Sequence, residues 1–107
     1  MSAEQPARVD GSTDMTRSTT HNAAEHRFEL FRDGELAGYA EYAERGRVRN
    51  FHHTLTFPRF RGHGVAAEVV RAALDDSRDG GFTVVPSCWY VEKFIAEHPG
   101  YRDLLGN

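Results

Sequence analysis

Cysteine is nearly absent from this chain of 107 residues, Cys88 being the only one. A single thiol excludes an intramolecular disulfide framework, and with no second cysteine there is no Cys-x-x-Cys zinc pair. No apolar stretch approaches the ~20 residues needed to cross a bilayer. A charged start followed by an apolar run, the mark of a secretory leader, is also missing. These absences lead to the expectation of a soluble, cytoplasmic protein with no membrane partner. A basic excess is lacking too: 13 Lys and Arg against 16 Asp and Glu give a formal charge of −3, which argues against a general nucleic-acid binder. The six histidines are scattered, and no His-x3-His pair falls on a predicted helix. His52 and His53 point to opposite faces if both lie in a regular strand, so no metal site is expected.

Two further absences are local. Residues 1–24 contain no aromatic side chain and no sustained apolar period. Such a segment buries too little surface to offset its ordering entropy. Residues 1–25 are therefore read as a disordered tail, and residues 26–107 as one small domain with a modest core. From Arg45 to His63 there is no Asp or Glu, while Arg45, Arg47, Arg49, Arg59 and Arg61 fall in that span. The imbalance favours an anionic ligand such as a phosphorylated cofactor. A solvated arginine-rich strand face would have the same composition.

What is present has a clear order. Arg27 to Arg32 reads as a strand, followed by Asp33-Gly34, a hairpin-turn pair. Glu35 to Glu44 alternates imperfectly, Arg45-Gly46 marks a second turn, and Val48 to Phe57 makes a third strand. Val65, Ala66, Val69, Val70, Ala73 and Leu74 recur at helical spacing, ended by Gly80-Gly81. Phe82 to Val85 is a short buried strand, placed parallel to the third by the right-handed crossover rule. Trp89 to Glu97 reads as a second helix that stops before Pro99. The expected fold is a mixed α/β sheet in the order βββαβα.

The most informative stretch is Arg59-Phe60-Arg61-Gly62-His63-Gly64-Val65-Ala66, between the third strand and the first helix. The amide N–H groups of a first helical turn and the positive end of the helix dipole suit a phosphate. Gly62 and Gly64 let the backbone come close to a pyrophosphate, and Arg59 and Arg61 add charge that can pair with it.

The spacing Arg59-x-x-Gly62-x-Gly64 resembles the (Gln/Arg)-x-x-Gly-x-(Gly/Ala) signature of the GNAT acyl-CoA N-acetyltransferase superfamily. Downstream, Val84-Val85-Pro86-Ser87-Cys88-Trp89-Tyr90-Val91-Glu92-Lys93-Phe94-Ile95 and His98-Pro99-Gly100-Tyr101 are similar to its small YjdJ-type, single-domain branch. His53-Thr54, ahead of a Pro-x-x-Arg-Gly segment, fits as well. The resemblance spans about His26 to Leu105 and implies a minimal GNAT-like α/β fold with the usual N-terminal helices missing.

It also implies acetyl-CoA or CoA as cofactor and an amine acceptor, either a small molecule or a protein. Two neighbouring parallel strands would splay around the pantetheine arm, with backbone groups near Leu55, Thr56 and Phe57 holding its amides. Core packing is the alternative role for Leu55 and Phe57. Phosphates would lie on the Arg59 to Ala66 loop, Phe60, His63 and Val65 included, and Lys93 could meet one of them. An exposed helix lysine is the alternative for Lys93. His53 is the candidate base, since an imidazole suits deprotonation of an amine. Relatives commonly read His-Thr-Glu-Val, whereas this chain has His53-Thr54-Leu55-Thr56, so a carboxylate that might serve as base is absent. Cys88 falls at a helix start, a position that raises thiolate character. It could accept an acyl group, line the pocket, or simply be a small buried residue. Tyr90 could protonate the departing thiolate, a role closed to Phe94, which has no hydroxyl. Three readings stand: an acetyl-CoA-dependent N-acetyltransferase, a non-catalytic acyl-CoA-binding module, and an interaction domain using the arginine-rich face. The oligomeric state is not legible.

Overall fold

The computed structural model describes residues 16–106. They form one five-stranded sheet in the spatial order β1-β2-β3-β4-β5. The strands are β1 (Arg17–Asn22), β2 (Arg27–Arg32), β3 (Glu35–Arg45), β4 (Val48–Thr56) and β5 (Thr83–Pro86). The first four run antiparallel to their neighbours, and β5 lies parallel to β4. Helix α1 (Val65–Asp79) connects β4 to β5, and helix α2 (Trp89–Glu97) follows β5. The mixed α/β architecture and the parallel β4–β5 pair are as expected.

Local chemistry sets the boundaries. Asp33 and Gly34 both take positive φ, 51° and 80°, as a two-residue turn matching strand twist requires. Helix α1 buries Val65, Val69, Val70, Ala73, Leu74 and Ser77 along one stripe. It ends where the Gly80 N–H folds back onto the Asp76 carbonyl at 3.0 Å. Helix α2 lies beside it, with the Arg71 guanidinium 5.4 Å from the Phe94 ring. Both helices share a single core with Phe28, Leu30, Ala40, Phe51 and Val84 of the sheet.

Order begins earlier than the sequence suggested. Arg17–Asn22, assigned to the tail, is the edge strand β1, paired residue for residue with β2. Its side chains are almost all polar and exposed, so no apolar alternation announces it. Backbone pairing holds it instead, together with His21. That ring stacks on Phe28 at 4.1 Å and shares a 2.6 Å hydrogen bond with the Tyr42 hydroxyl. A three-residue 3-10 turn, Ala23–Glu25, and its left-handed cap His26 separate β1 from β2. The sheet order is thus ββββαβα, one strand more than expected. Residues 1–15 of the expected tail lie outside the described residues.

Candidate functional site

The site is built where β4 and β5 part. Their register runs Val48↔Thr83 to Phe51↔Pro86, and one more bond follows, from the Cys88 N–H to the Phe51 carbonyl at 2.9 Å. Beyond that point β4 continues to Thr56 with, among the described residues, a strand partner on the β3 side only. The chain after β5 turns away into α2, because Cys88 caps that helix. A wedge-shaped gap results, with Cys88 at its vertex. The thiol is buried, and its Sγ lies 3.6 Å from Thr54 Oγ1.

Which backbone groups face the gap follows from alternation. The Phe57 N–H donates to the Ala37 carbonyl at 2.9 Å, so Phe57 and Leu55 direct their peptide groups to β3. Thr54 and Thr56 then direct theirs into the gap. Of the three residues named from the sequence, Thr56 is the one whose backbone is so placed. Thr54 joins it, unnamed beforehand. Phe57 packs against the core.

Alternation also sorts the side chains. A Cβ on Gly38 would come within 2.8 Å of Val65 Cγ1, so Gly38 faces α1, as does its cross-strand partner Thr56. Tyr39 and Glu41 therefore face the opposite side, with their partners Leu55 and His53. The Tyr39 ring lies 6.2 Å from that of His53. His53 and Cys88 thus sit at nearly one level of β4 but on opposite faces of the sheet. His52 does not obey simple alternation. The register steps from Glu41↔His53 to Tyr42↔Phe51 and leaves His52 as the extra residue of a bulge,.

At the open end of the gap lies the glycine turn. Gly62 and Gly64 adopt φ of 83° and 75°, a left-handed conformation that costs other residues about 1–2 kcal/mol. Gly64 is the N-cap of α1, and its carbonyl accepts from the Glu68 N–H at 3.1 Å. The N–H groups of Val65, Ala66 and Ala67 precede that first helical bond and have no partner within the helix. They border a cavity of about 160 Å³ lined by Thr56, Arg61, Gly62, Gly64, Val65, Ala66, Ala67 and Tyr90. Burial raises the Tyr90 phenol above its ordinary value, with Lys93 opposing and Glu97 adding to the shift. A phenol is protonated at neutral pH at its ordinary value, and burial moves it further the same way. A larger cavity, about 390 Å³, lies between β5 and α2 and is bordered by Val84, Ile95, Arg102 and Leu105. None of the candidate residues lines it.

Other expected contributors stand elsewhere. Arg59 is bound to Glu35, with Nη1 2.9 Å from both carboxylate oxygens. Only Arg61 of the two arginines borders the cavity. The Phe60 ring is buried in the core, and the Phe60 and Arg61 N–H groups are used by a 3-10 turn over Pro58–Phe60. Lys93 pairs with Glu97 at 3.1 Å on the outer side of α2. His63 offers its carbonyl to Arg17 of β1 at 2.7 Å. Nothing in the sequence could have disclosed that contact, 46 positions apart. Among the described residues no group of three or more His, Cys, Asp or Glu side chains could hold a metal ion. No helix there is long and apolar enough to cross a membrane.

The model of the GCN5-related N-acetyltransferase family matches residues 27–104. The chain belongs to this family. Among curated relatives of this acetyltransferase-family chain, Protein NATD1 of Bos taurus is 34% identical over 53 residues, which is 50% of this chain and 47% of that protein. Protein NATD1 of Homo sapiens is 32% identical over 53 residues, with 50% and 47% covered. The match thus spans about half the length of these relatives. Among solved structures, Ard1 from Thermoplasma volcanium superposes with a TM-score of 0.51 at 21% identity, covering 57% of this chain and 43% of that one. That likeness is one of fold.

Proposed function

We propose that this chain is an acetyl-CoA-dependent N-acetyltransferase that transfers an acetyl group to an amine of a small molecule or protein, within the small YjdJ-type branch of its family. The observation that carries the reading is the gap between β4 and β5. Unpaired backbone groups of Thr54 and Thr56 line one edge of it, and free helix N–H groups lie at its mouth. A ligand with amides in its arm and a pyrophosphate at its end satisfies both sets at once. Residues Gly62 to Ala67, with Arg61, would hold the phosphates. Arg59 could join them only by leaving Glu35, an exposed pair whose loss costs little. His63 and Val65 would contribute backbone, and Leu55 and Phe57 would flank the arm.

Acetyl-CoA, when bound, supplies a thioester-activated acetyl group. The chain's own work is then divided between the two faces of the sheet. On the helix face Tyr90, whose phenol is protonated at neutral pH and which borders the cavity, donates a proton to the departing sulfur. On the open face His53, beside Tyr39, accepts the proton of the incoming amine. Cys88 lines the vertex. Transfer is direct, so Cys88→Ala remains active. His53→Ala slows transfer about 10²- to 10⁴-fold with CoA affinity unchanged.

The second reading, a non-catalytic acyl-CoA-binding module, is favoured by Leu55, which stands where the resemblance to the YjdJ-type branch implies a glutamate. Mixing the protein with acetyl-CoA and a panel of primary amines, while following thiol release and intact mass, separates the two. Thiol release that depends on the amine supports the enzyme. CoA binding without release with any amine supports the module. One acetyl mass gained on Cys88 would contradict direct transfer.

A further inference from the structure

Arg17 opens β1, far from every motif in the sequence, yet its guanidinium spans the glycine turn. One Nη donates to the His63 carbonyl at 2.7 Å, and the other pairs with the Glu68 carboxylate in the first turn of α1. Each contact bears on the cradle in its own way. His63 lies between the two left-handed glycines, so its peptide has few local restraints. In a trans peptide the carbonyl of one residue and the N–H of the next point in opposite directions. Holding the His63 carbonyl therefore turns the Gly64 N–H away from Arg17, and Gly64 borders the cavity. Glu68 raises a separate problem. A carboxylate in the first turn suits the helix dipole, but it repels a phosphate placed at the same helix end. Arg17 neutralises it.

We infer that Arg17 is a positioning residue for the anion cradle, fixing the His63–Gly64 peptide and screening Glu68 from the bound phosphates. The inference rests on the CoA reading and reaches beyond it to a strand that the glycine motif does not include. It also explains why a polar edge strand begins with an arginine whose side chain runs across to α1.

The test is CoA affinity by titration calorimetry for wild type, Arg17→Gln, Glu68→Gln and the double variant, with a thermal melt of each. Arg17→Gln should bind CoA about tenfold more weakly, the scale of one charge-assisted contact. Adding Glu68→Gln should recover about threefold of that loss. It restores no contact to the loop, so recovery can come only from removing an unscreened charge. Should Arg17→Gln melt below the assay temperature, Arg17→Lys carries the test. It keeps the charge without the fork that reaches both partners, and should bind about threefold more weakly than wild type. Unchanged affinity in Arg17→Gln, or in Arg17→Lys where that stands in, overturns the inference alone. So does a double variant no tighter than Arg17→Gln, which would leave Arg17 as a plain anchor for β1. Failure of wild type to bind CoA overturns the cofactor reading, and the inference falls with it.

Discussion

The two halves of β4 differ in one respect from which the rest follows. From Val48 to Phe51 the strand is paired on both sides, and its inward residues Arg49 and Phe51 are buried. From Thr54 to Thr56 it is paired, among the described residues, on one side only. The closed half is therefore a structural support. Arg49 within it stacks 3.8 Å over the Phe82 ring and bonds Glu44, Asp76 and Ser77 at 3.1, 2.9 and 3.1 Å. In the open half, the backbone polar groups of Thr54 and Thr56 have no second strand to pair with among the described residues. These are the groups proposed to meet the ligand. The contrast locates the candidate site without recourse to side-chain chemistry, and changes aimed at each half should have different consequences.

The largest effect is expected in the closed half. Phe51→Ala empties a fully buried ring site and should cost about 3–5 kcal/mol of unfolding free energy, measured by denaturant titration. A cost below ~1 kcal/mol would mean that this half is not the support described here. At the mouth of the open half, Gly62→Val should remove detectable CoA binding. An added Cβ meets no protein atom within 4 Å, so the branches project into free space, and the residue must hold φ near 83°. Valine is a poor occupant of that region. Strain of about 1–2 kcal/mol at that φ should lower the melting temperature by about 5–15 °C and leave the domain folded. A variant that binds CoA like wild type would remove the cradle from the account.

Gly38→Ala probes how the open half, through Thr56, packs against the start of α1. Its Cβ would lie 2.6 Å from the Leu55 carbonyl and 2.8 Å from Val65 Cγ1, forcing the open half of β4 away from the start of α1. Overpacking of this kind costs about 1–3 kcal/mol, and weaker CoA binding should accompany it. Unaltered stability and binding together would show that the two elements move independently.

The smallest effect concerns β1. Burial holds the His21 imidazole below its ordinary value of 6.5, partly opposed by Asp76 and aided by Arg49. A lowered folded-state value favours the neutral ring in the native protein. The stability this contributes is present above pH ~6.5 and is lost as pH falls through the lowered value. His21→Phe keeps a ring against Phe28 and cannot titrate. Its melting temperature should drop less than that of wild type between about pH 7.5 and pH 5. An equal drop in both proteins would exclude His21 as a source of the acid sensitivity.

Much of the fold was legible because its signals are local. Asp33-Gly34, the paired glycines at 62 and 64, and the helical recurrence from Val65 to Leu74 each state their conformation within a few residues. What escaped depends on partners far along the chain. β1 reads Arg-Ser-Thr-Thr-His-Asn, with no apolar face to declare a strand, and only β2 makes it one. The bulge at His52 arises from the step in register against β3, so adjacent histidines could not be assigned to faces by alternation alone. The pairing of Arg59 with Glu35, 24 residues earlier, likewise has no local signal. The reading of residues 1–25 as a disordered tail gives way at Arg17–Asn22 for the same reason, since β1 carries His21 and Arg17 into the fold.

The gap between β4 and β5 is the centre of the account, and mapping amide chemical shifts of the isotope-labelled protein during titration with CoA tests it most directly. The largest shifts should fall on Thr54, Thr56 and Gly62 to Ala67, with Val48 to Phe51 nearly unmoved. Shifts concentrated instead on Val84, Ile95 and Leu105, around the cavity between β5 and α2, would contradict it.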